Sequence, residues 1–600
     1  MSRDNDPATP PARLADAVVA HVRSNLPAAR SKSQTTLLAF PADAPAWREL
    51  AYASLAAGAT AALRLLQRGV AAAPDSPDSW NDIASLALAA GLHSSSLRAL
   101  RRAVALDPGG PARWRDLSMV VPASDETRLR FLRRTLFIRR DDASTLRIFA
   151  EALLAHGEED RARFFARRAL VLSSADVGAF LVLGLVAQRR REWLAADTAF
   201  RRAVSVAPLT ASAWHNFAVV ASSQGESAAT DRGVRRALAA EPAFIHSLLL
   251  SGNRSIEIGD VAAAARRFRR ARATDANFPE AELNLGMISL LDGDYTAGWL
   301  GFAARWRCAS HHGFKPTPGA RIWDGRVDRS ARLLIRAEPE QALGDTIQFA
   351  RFVAAAAARV GELMIECAPT LRELIGKIPG IARLIDVGDA PPPAQWSCGL
   401  MDLGGIFAPT LSSLPASSPY IEADPAVIAA WTMQLGSLPR PRIGVCWRGN
   451  PRFRMDRQRS PGIGALTPLF RRAAPHLVSL VHDRQADETP PVDIADPMSL
   501  VSDMADTAAL ISALDLVITS DTSIAHLSGA LGRPTWVLLH EVPDWRWLRG
   551  RNDSPWYPSA RLFRQPSPGE WASVIAAVAA ALDSLLFSAA GVTPPPSAHR

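Results

Sequence analysis

From residue 77 onward, apolar positions recur with the spacing of a helix face. Trp80, Ile83, Ala84 and Ala87 fall at i, i+3, i+4 and i+7, and Leu100 and Ala103 mark a second helix that Pro108 stops. The same slots return as Phe180, Leu183, Gly184, Ala187, Ala196, Phe200, Ala203 and Pro208, then as Trp214, Phe217, Ala218, Val234, Ala237 and Pro242. They return again as Leu248, Gly252, Ala264, Phe268 and Ala271. A short signature keeps step with them: Arg101-Arg102-Ala103, Arg133-Arg134-Thr135, Arg167-Arg168-Ala169, Arg201-Arg202-Ala203, Arg235-Arg236-Ala237 and Arg269-Arg270-Ala271, at intervals of 32, 34, 34, 34 and 34 residues. In each unit a small residue of the first helix admits a large one from the second.

A two-helix unit of 34 residues with this pattern resembles the tetratricopeptide repeat. About eight units are expected over 43–307, after a flexible segment at 1–42. One such hairpin cannot bury its own apolar face, so neighbours stack into a solenoid, and its groove suits a peptide or partner protein. The arginine pairs sit on second helices, which face outward in such a stack, and read as solvated surface.

The repeat pattern stops after Trp306. Residues 308–330 read as a connector, rich in Gly, Pro and His, and His311-His312 reads as surface loop rather than metal site. Beyond it, short apolar runs alternate with helical stretches. Runs at 331–338, 362–368, 382–388 and 398–405 predict one set of buried strands. Runs at 442–447, 477–483, 514–521 and 534–540 predict a second set, with helices such as 346–360 and 506–514 between strands. This βαβ alternation implies parallel sheets. The expectation is therefore an all-α solenoid followed by two Rossmann-like α/β domains, at 331–438 and 439–586, with a disordered tail at 587–600.

In such sheets ligands bind beyond the carboxyl ends of the strands. Three constellations lie there. In the first, Leu343-Gly344-Asp345-Thr346 turns the chain from a strand into a helix, and Asp345 is either an ordinary helix cap or a general base. The second joins Trp447-Arg448-Gly449-Asn450-Pro451 to Asp456-Arg457-Gln458-Arg459-Ser460, a phosphate-binding loop or a plain surface loop. The third is Asp521-Thr522-Ser523-Ile524-Ala525-His526 at a strand end and a helix start. There an anion meets unpaired N–H groups, Asp521 can grip sugar hydroxyls, and Thr522, Ser523 and His526 face phosphate. The plainer alternative is a structural histidine.

Residues 331–582 resemble glycosyltransferases related to bacterial heptosyltransferases and to the repeat-bearing protein O-glycosyltransferases. The motifs that carry the resemblance are Glu340-Gln341-x-Leu343-Gly344-Asp345-Thr346-x-Gln348-Phe349, Gly444-x-x-Trp447-x-Gly449-Asn450-Pro451, Arg459-Ser460, Asp506-Thr507-Ala508-Ala509, Asp521-Thr522-x-x-Ala525-His526-Leu527, Gly532-x-Pro534, Asp544-Trp545-Arg546-Trp547 and Trp556-Tyr557-Pro558. The resemblance implies the GT-B fold, in which a nucleotide-sugar binds between two Rossmann-like domains. It places the catalytic base at Asp345. Asp521, Thr522 and His526 match its donor-binding motif, and Trp447, Gly449, Asn450, Arg459 and Ser460 match a loop facing the donor phosphates. Ala342 departs from the family, which usually has glycine there. Asp544-Trp545-Arg546-Trp547 reads equally as a donor-side lid and as aromatic packing.

Composition narrows the partners. The net charge is +9, yet only Lys32, Lys315 and Lys377 are lysines, and no basic run is interleaved with stacking aromatics, so nucleic acid is not the expected partner. The four cysteines show no ligand spacing, which predicts neither a zinc site nor a disulfide framework and fits a reducing cytoplasm. No transmembrane span or signal peptide is expected. No Asp-x-Asp occurs in the C-terminal half, so no metal cofactor is expected.

The expected activity is transfer of a sugar from a nucleotide donor to Ser or Thr of a protein held by the repeats. The architecture further resembles bacterial flagellin glycosyltransferases, which implies flagellin as acceptor and a CMP-activated nonulosonic acid, such as pseudaminic acid, as donor. The alternatives are a lipopolysaccharide-type transferase and a non-catalytic scaffold with a degenerate transferase domain.

Overall fold

The computed structural model describes residues 26–41, 43–54, 59–122, 124–308, 317, 319–337, 343–415, 418–450, 456–484 and 488–589. The chain divides into two compact units, one ending at Ser247 and one beginning at Leu248.

In the first unit a helix at Leu26–Ala39 precedes six helical hairpins, from Ala44–Ala53 with Ala59–Ala72 to Ala211–Ser223 with Ser227–Ala240. The segment at 1–42, expected to be flexible, therefore contains a helix, and Ser33 on it is buried and donates to Glu49 Oε2 at 3.1 Å. Residues 1–25 lie outside the described residues. In four repeats the first-helix tryptophan donates its indole N–H to a proline carbonyl six residues back. These bonds join Trp47 to Pro41, Trp80 to Pro74, Trp114 to Pro108 and Trp214 to Pro208, at 2.8–2.9 Å. Each bond closes the entry of one hairpin with its own residues.

The pairing of small and large side chains is visible directly. A Cβ on Gly184 would overlap the ring of Phe200, which is wholly buried. The Arg-Arg-Ala signature follows from the same packing. Ala103, Ala169, Ala203 and Ala237 are buried against the first helix, so the two preceding arginines point to solvent. Among the described residues, the turns inside four of these hairpins hold a left-handed residue, Gly91 in one of them at φ 74°. Gly157 and Gly225 supply it at φ 79°, and Arg191 takes the equivalent position at φ 59°.

The second unit opens with the last repeats. Helices Val261–Thr274, Pro279–Leu291 and Tyr295–Phe302 belong to it, so the compact boundary lies inside the array rather than near 307, where the sequence pattern changes. The reason is aromatic burial. Trp299 donates to the Ala408 carbonyl at 2.9 Å, Trp556 donates to Tyr295 Oη at 2.7 Å, and Trp299, Tyr295 and Phe302 all meet Trp545 edge-on. Arg305, almost wholly buried, pairs with Asp402 at 2.6 Å.

Two parallel five-stranded sheets follow. The first holds β1 (Arg321–Ile322), β2 (Asp328–Arg336), β3 (Val360–Cys367), β4 (Ile381–Asp386) and β5 (Trp396–Gly399), in the order β1-β5-β2-β3-β4. The second holds β6 (Ile443–Cys446), β7 (Leu477–Ser479), β8 (Leu516–Ser520), β9 (Thr535–Leu539) and β10 (Ala560–Arg564), in the order β10-β9-β8-β6-β7. In chain order the second sheet reads 2-1-3-4-5, a doubly wound arrangement whose direction reverses between β6 and β8. In the first sheet the reversal falls between β2 and β5.

Eight strands were expected and ten are present among the described residues. β1 lies in the presumed connector; it is two exposed residues at a sheet edge, too short for an apolar run. β10 carries arginines at both ends of its apolar centre, which masked it. The expected helix at 346–360 is broken into helix Leu343–Phe349, a 3-10 turn and helix Val353–Ala357. His311 and His312 lie outside the described residues.

The closing helix, Trp571–Ala589, is long and apolar enough to cross a membrane by composition. Its face of Val574, Ile575, Val578, Ala579 and Leu582 is buried in the core beneath the second sheet, and Asp583 pairs with Arg472 at 3.2 Å. Those contacts are those of a core-covering helix. It runs through the start of the expected tail, and residues 590–600 lie outside the described residues.

Candidate functional site

The carboxyl ends of the two sheets meet where both reverse direction. After β2 the chain enters helix Leu343–Phe349, with Asp345 in its first turn. After β8 it enters helix Ser523–Ala530, with Asp521 and Thr522 at the turn. These two helices pack together through Gly344: a Cβ there would lie 2.7 Å from the His526 ring. Any side chain at 344 would push Asp345 away from the second sheet.

Arg546 joins the two sheets. It lies in the 3-10 turn Trp545–Trp547, which follows β9 and which Asp544 caps by accepting from the Arg546 backbone N–H at 3.1 Å. Its Nη2 binds Asp345 Oδ1, its Nη1 binds Asp544 Oδ1 at 2.7 Å, and its Nε binds Gln348 Oε1 at 2.6 Å. The guanidinium lies over Trp545, 4.4 Å from the ring centroid, and Met401 Sδ, beyond β5, is 3.6 Å from Nη2. The Arg546 side chain is 10% exposed, against 28% for Asp345 and 39% for Asp544. The cation is thus at the floor and its two carboxylates face the opening. Arg351 bridges the sheets a second time, with Nη2 donating to the Trp556 carbonyl at 2.9 Å and to Tyr420 Oη at 3.3 Å.

The charges set one another's protonation. Burial pushes the Asp345 carboxyl up, and Arg546 pulls it back only in part. Burial also raises Asp521, helped by repulsion from Asp544, to about 6. Burial pushes Asp544 the same way, but the charge and hydrogen bonds of Arg546 outweigh it and hold Asp544 below the usual carboxylate range. His526 is driven down to about 3, first by burial and then by the Arg546 charge, so it is neutral. Arg546 itself is held above its ordinary value, because the attraction of Asp345 and Asp544 outweighs the cost of its burial.

The loop after β6 is organised by Asp456. Its Oδ1 accepts from the Gly449 N–H at 3.2 Å, from Arg459 Nε at 3.1 Å and from the Ser460 hydroxyl at 3.1 Å. Gly449 lets the Arg459 guanidinium and the Asp456 carboxylate lie close against its backbone, where a Cβ would meet both. Asn450 stands exposed at the rim. The Arg459 charge acts on both Asp345 and Asp521.

Three expected donor ligands are engaged elsewhere. Trp447 is wholly buried and meets Phe470 edge-on, because it closes the core under β6. The Thr522 hydroxyl accepts from the Ile524 N–H at 3.2 Å and bonds Thr519 Oγ1 at 3.1 Å, so it serves as a helix cap. His526 stacks on Trp547, bonds Tyr557 Oη through Nδ1 at 2.9 Å, and packs on Gly344. It is a packing residue between the sheets. Ser523 is half-buried at the helix start.

Asp345, Asp521 and Arg459 do converge. The sequence pattern includes Gln348 in a motif, Asp456 in a candidate loop, and Asp544 and Arg546 in a run that reads as lid or packing, but it assigns none of the four a role of its own. Asp456 carries a readable signal, since it stands three and four residues before Arg459 and Ser460, the spacing of neighbours on a helix. For Arg546 the signal is an arginine within an aromatic run just beyond a strand end.

Comparison with known proteins bears on the repeats. The tetratricopeptide repeat family matches residues 59–111 and 249–308. Protein FlbA of Caulobacter vibrioides is 30% identical over 293 residues, covering 44% of this chain and 48% of FlbA. The chain therefore spans about half the length of that relative. Among solved structures, a tetratricopeptide repeat protein from Parabacteroides merdae aligns with a TM-score of 0.37 at 13% identity, over 41% of this chain and 98% of that one. Yeast Tom70 aligns with a TM-score of 0.34 at 14% identity, over 43% and 56%.

Proposed function

We propose that the chain is a metal-independent glycosyltransferase of the GT-B type, acting in the cytoplasm on a protein held by its repeats. The observation that carries this reading is the meeting of two parallel sheets at their reversal points, which puts Asp345 of one beside Arg546 and Asp521 of the other. Asp345 takes the proton of an acceptor Ser or Thr hydroxyl while that oxygen attacks the anomeric carbon. The bond to the donor phosphate breaks and its electron pair leaves with the phosphate, which meets arginine charge rather than a metal. Asp521 binds sugar hydroxyls. Within the Sequence analysis resemblance, the leading acceptor is flagellin and the leading donor a CMP-activated nonulosonic acid. The four thiols are all buried and unpaired, which fits a reducing compartment.

Two measurements test this. Titration calorimetry of the full chain with CMP and with UDP should show binding of one of them, and binding of neither removes the transferase reading. Intact-mass spectrometry of flagellin from cells with and without the gene should show a mass difference of whole sugar units. An unchanged mass removes flagellin as acceptor.

A further inference from the structure

We propose that Arg546 is a phosphate ligand of the donor, and that the donor phosphate takes its place on Arg546 by displacing Asp345. The inference rests on the transferase reading above.

The geometry suits an exchange. All three guanidinium nitrogens are occupied, but by partners of two kinds. Gln348 and the Trp545 ring are neutral; they hold the plane of the guanidinium and stay when an anion arrives. Asp345 and Asp544 are anionic, partly exposed, and on the open side. A phosphate approaching from the opening meets the Nη groups where these carboxylates now sit, and arginine offers it a paired set of donors.

Charge forces the choice. Asp345, Asp521 and Asp544 face Arg546 and Arg459, and the Arg305 charge that also acts on Asp345 is paired with Asp402, as Arg459 is with Asp456, so the cluster has no surplus of positive charge. A phosphate adds a further anion to a poorly solvated site, and one carboxylate has to leave the cation. Asp544 is tied to the turn through the Arg546 backbone N–H as well as through Nη1. Asp345 is tied to Arg546 from a different sheet, across the opening, and is the one free to part. Once unpaired in a low-dielectric site, its carboxylate gains proton affinity. The acceptor hydroxyl then supplies that proton as its oxygen bonds to the anomeric carbon, and the bonding pair of the donor leaves with the phosphate now held by Arg546. Donor binding thereby creates the base, and a donor-first order follows.

The test is calorimetry of the full-length chain with CMP and with UDP as probes. Asp345→Asn, nearly isosteric, removes the competitor and should tighten nucleotide binding about tenfold. Arg546→Gln should weaken it by about the same factor. In the double variant the gain from Asp345→Asn should vanish, because the two substitutions act through one contact. If Asp345→Asn leaves the affinity unchanged or weakens it, the exchange is overturned while the donor site stands. A tightening that survives intact in the Arg546→Gln background also overturns it, since it would be charge removal alone. Failure of the wild-type chain to bind either nucleotide overturns the donor site and the exchange together. Should Arg546→Gln not fold, Arg546→Met, which keeps most of the stem and removes the charge, gives the same cycle.

Discussion

The hairpins between Ala44 and Ser247 and the cleft between the two sheets are built on opposite plans. In the hairpins the defining contacts are local and repeated: an indole bonds a carbonyl six residues away, and a phenylalanine fills the gap left by a glycine of its own unit. In the cleft the defining contact is made once, between residues 201 positions apart. Redundancy makes the first region tolerant of the loss of one unit's function but sensitive to lost packing. Convergence makes the second sensitive to a single oxygen or nitrogen.

The comparison can be broken most directly at Phe200. Phe200→Ala opens a cavity beside Gly184 and should cost about 3–5 kcal/mol. Hydrogen exchange should rise in helices Val177–Arg189, Trp193–Val206 and Ala211–Ser223 and stay unchanged in β6 to β10. Exchange rising equally in both regions would show that the repeats do not unfold locally. The next largest effect belongs to Asp345. Asp345→Asn should lower sugar transfer at least about 100-fold while moving the melting temperature by less than about 2 °C. A variant that unfolds instead would make Asp345 a structural residue.

Asp521 gives a smaller effect of opposite sign. Its folded pKa, about 6, lies above the unfolded carboxyl value near 3.9. The ionised form is thus penalised in the fold: the penalty is absent below about pH 4, grows between pH 4 and 6, and is complete above. Asp521→Asn should accordingly stabilise the protein by about 3 kcal/mol at pH 7.5, with the gain vanishing below pH 4, as read by denaturant unfolding. A variant less stable at pH 7.5 would remove the idea that the site holds strained charge. Smallest is Arg191→Gly. The left-handed turn accepts glycine freely, and the neighbouring repeats use it, so a gain of about 0.5 kcal/mol is expected. A loss would mean that the Arg191 side chain contributes more than its backbone costs.

Legibility followed the same division. The Arg-Arg pair located six of the second helices because the small buried residue that follows it and its solvated neighbours lie within one helical turn. The strands were legible as apolar runs except β1, two residues at an edge, and β10, whose apolar centre is flanked by arginine. Asp345 and Asp521 were legible because an acid at a strand end, before a helix, is a local pattern. The surroundings of those acids were not. Thr522 carries a hydroxyl that suits a phosphate or a cap, and nothing local decides between them. For His526 the sequence left ligand and structural histidine open, and nothing local shows that Gly344, far away in sequence, is pressed against its ring. Arg546 sat in an aromatic run read as either lid or packing. Trp545 does pack on the last repeat, while Arg546 reaches the cleft from the same turn.

What the amino-acid order determined by itself is periodicity: two-helix units of 34 residues, short apolar strands alternating with helices, and acids, glycines and hydroxyls at the strand ends. These are properties of neighbours along the chain, and they follow from the geometry of a single helix or strand. Only the tertiary structure decided that the last repeats belong to the α/β unit, that His526 stacks on Trp547, and that one arginine stands among three carboxylates. Burial and Coulomb interactions depend on distance in space, and the distances that matter here join segments that the chain keeps some 200 residues apart.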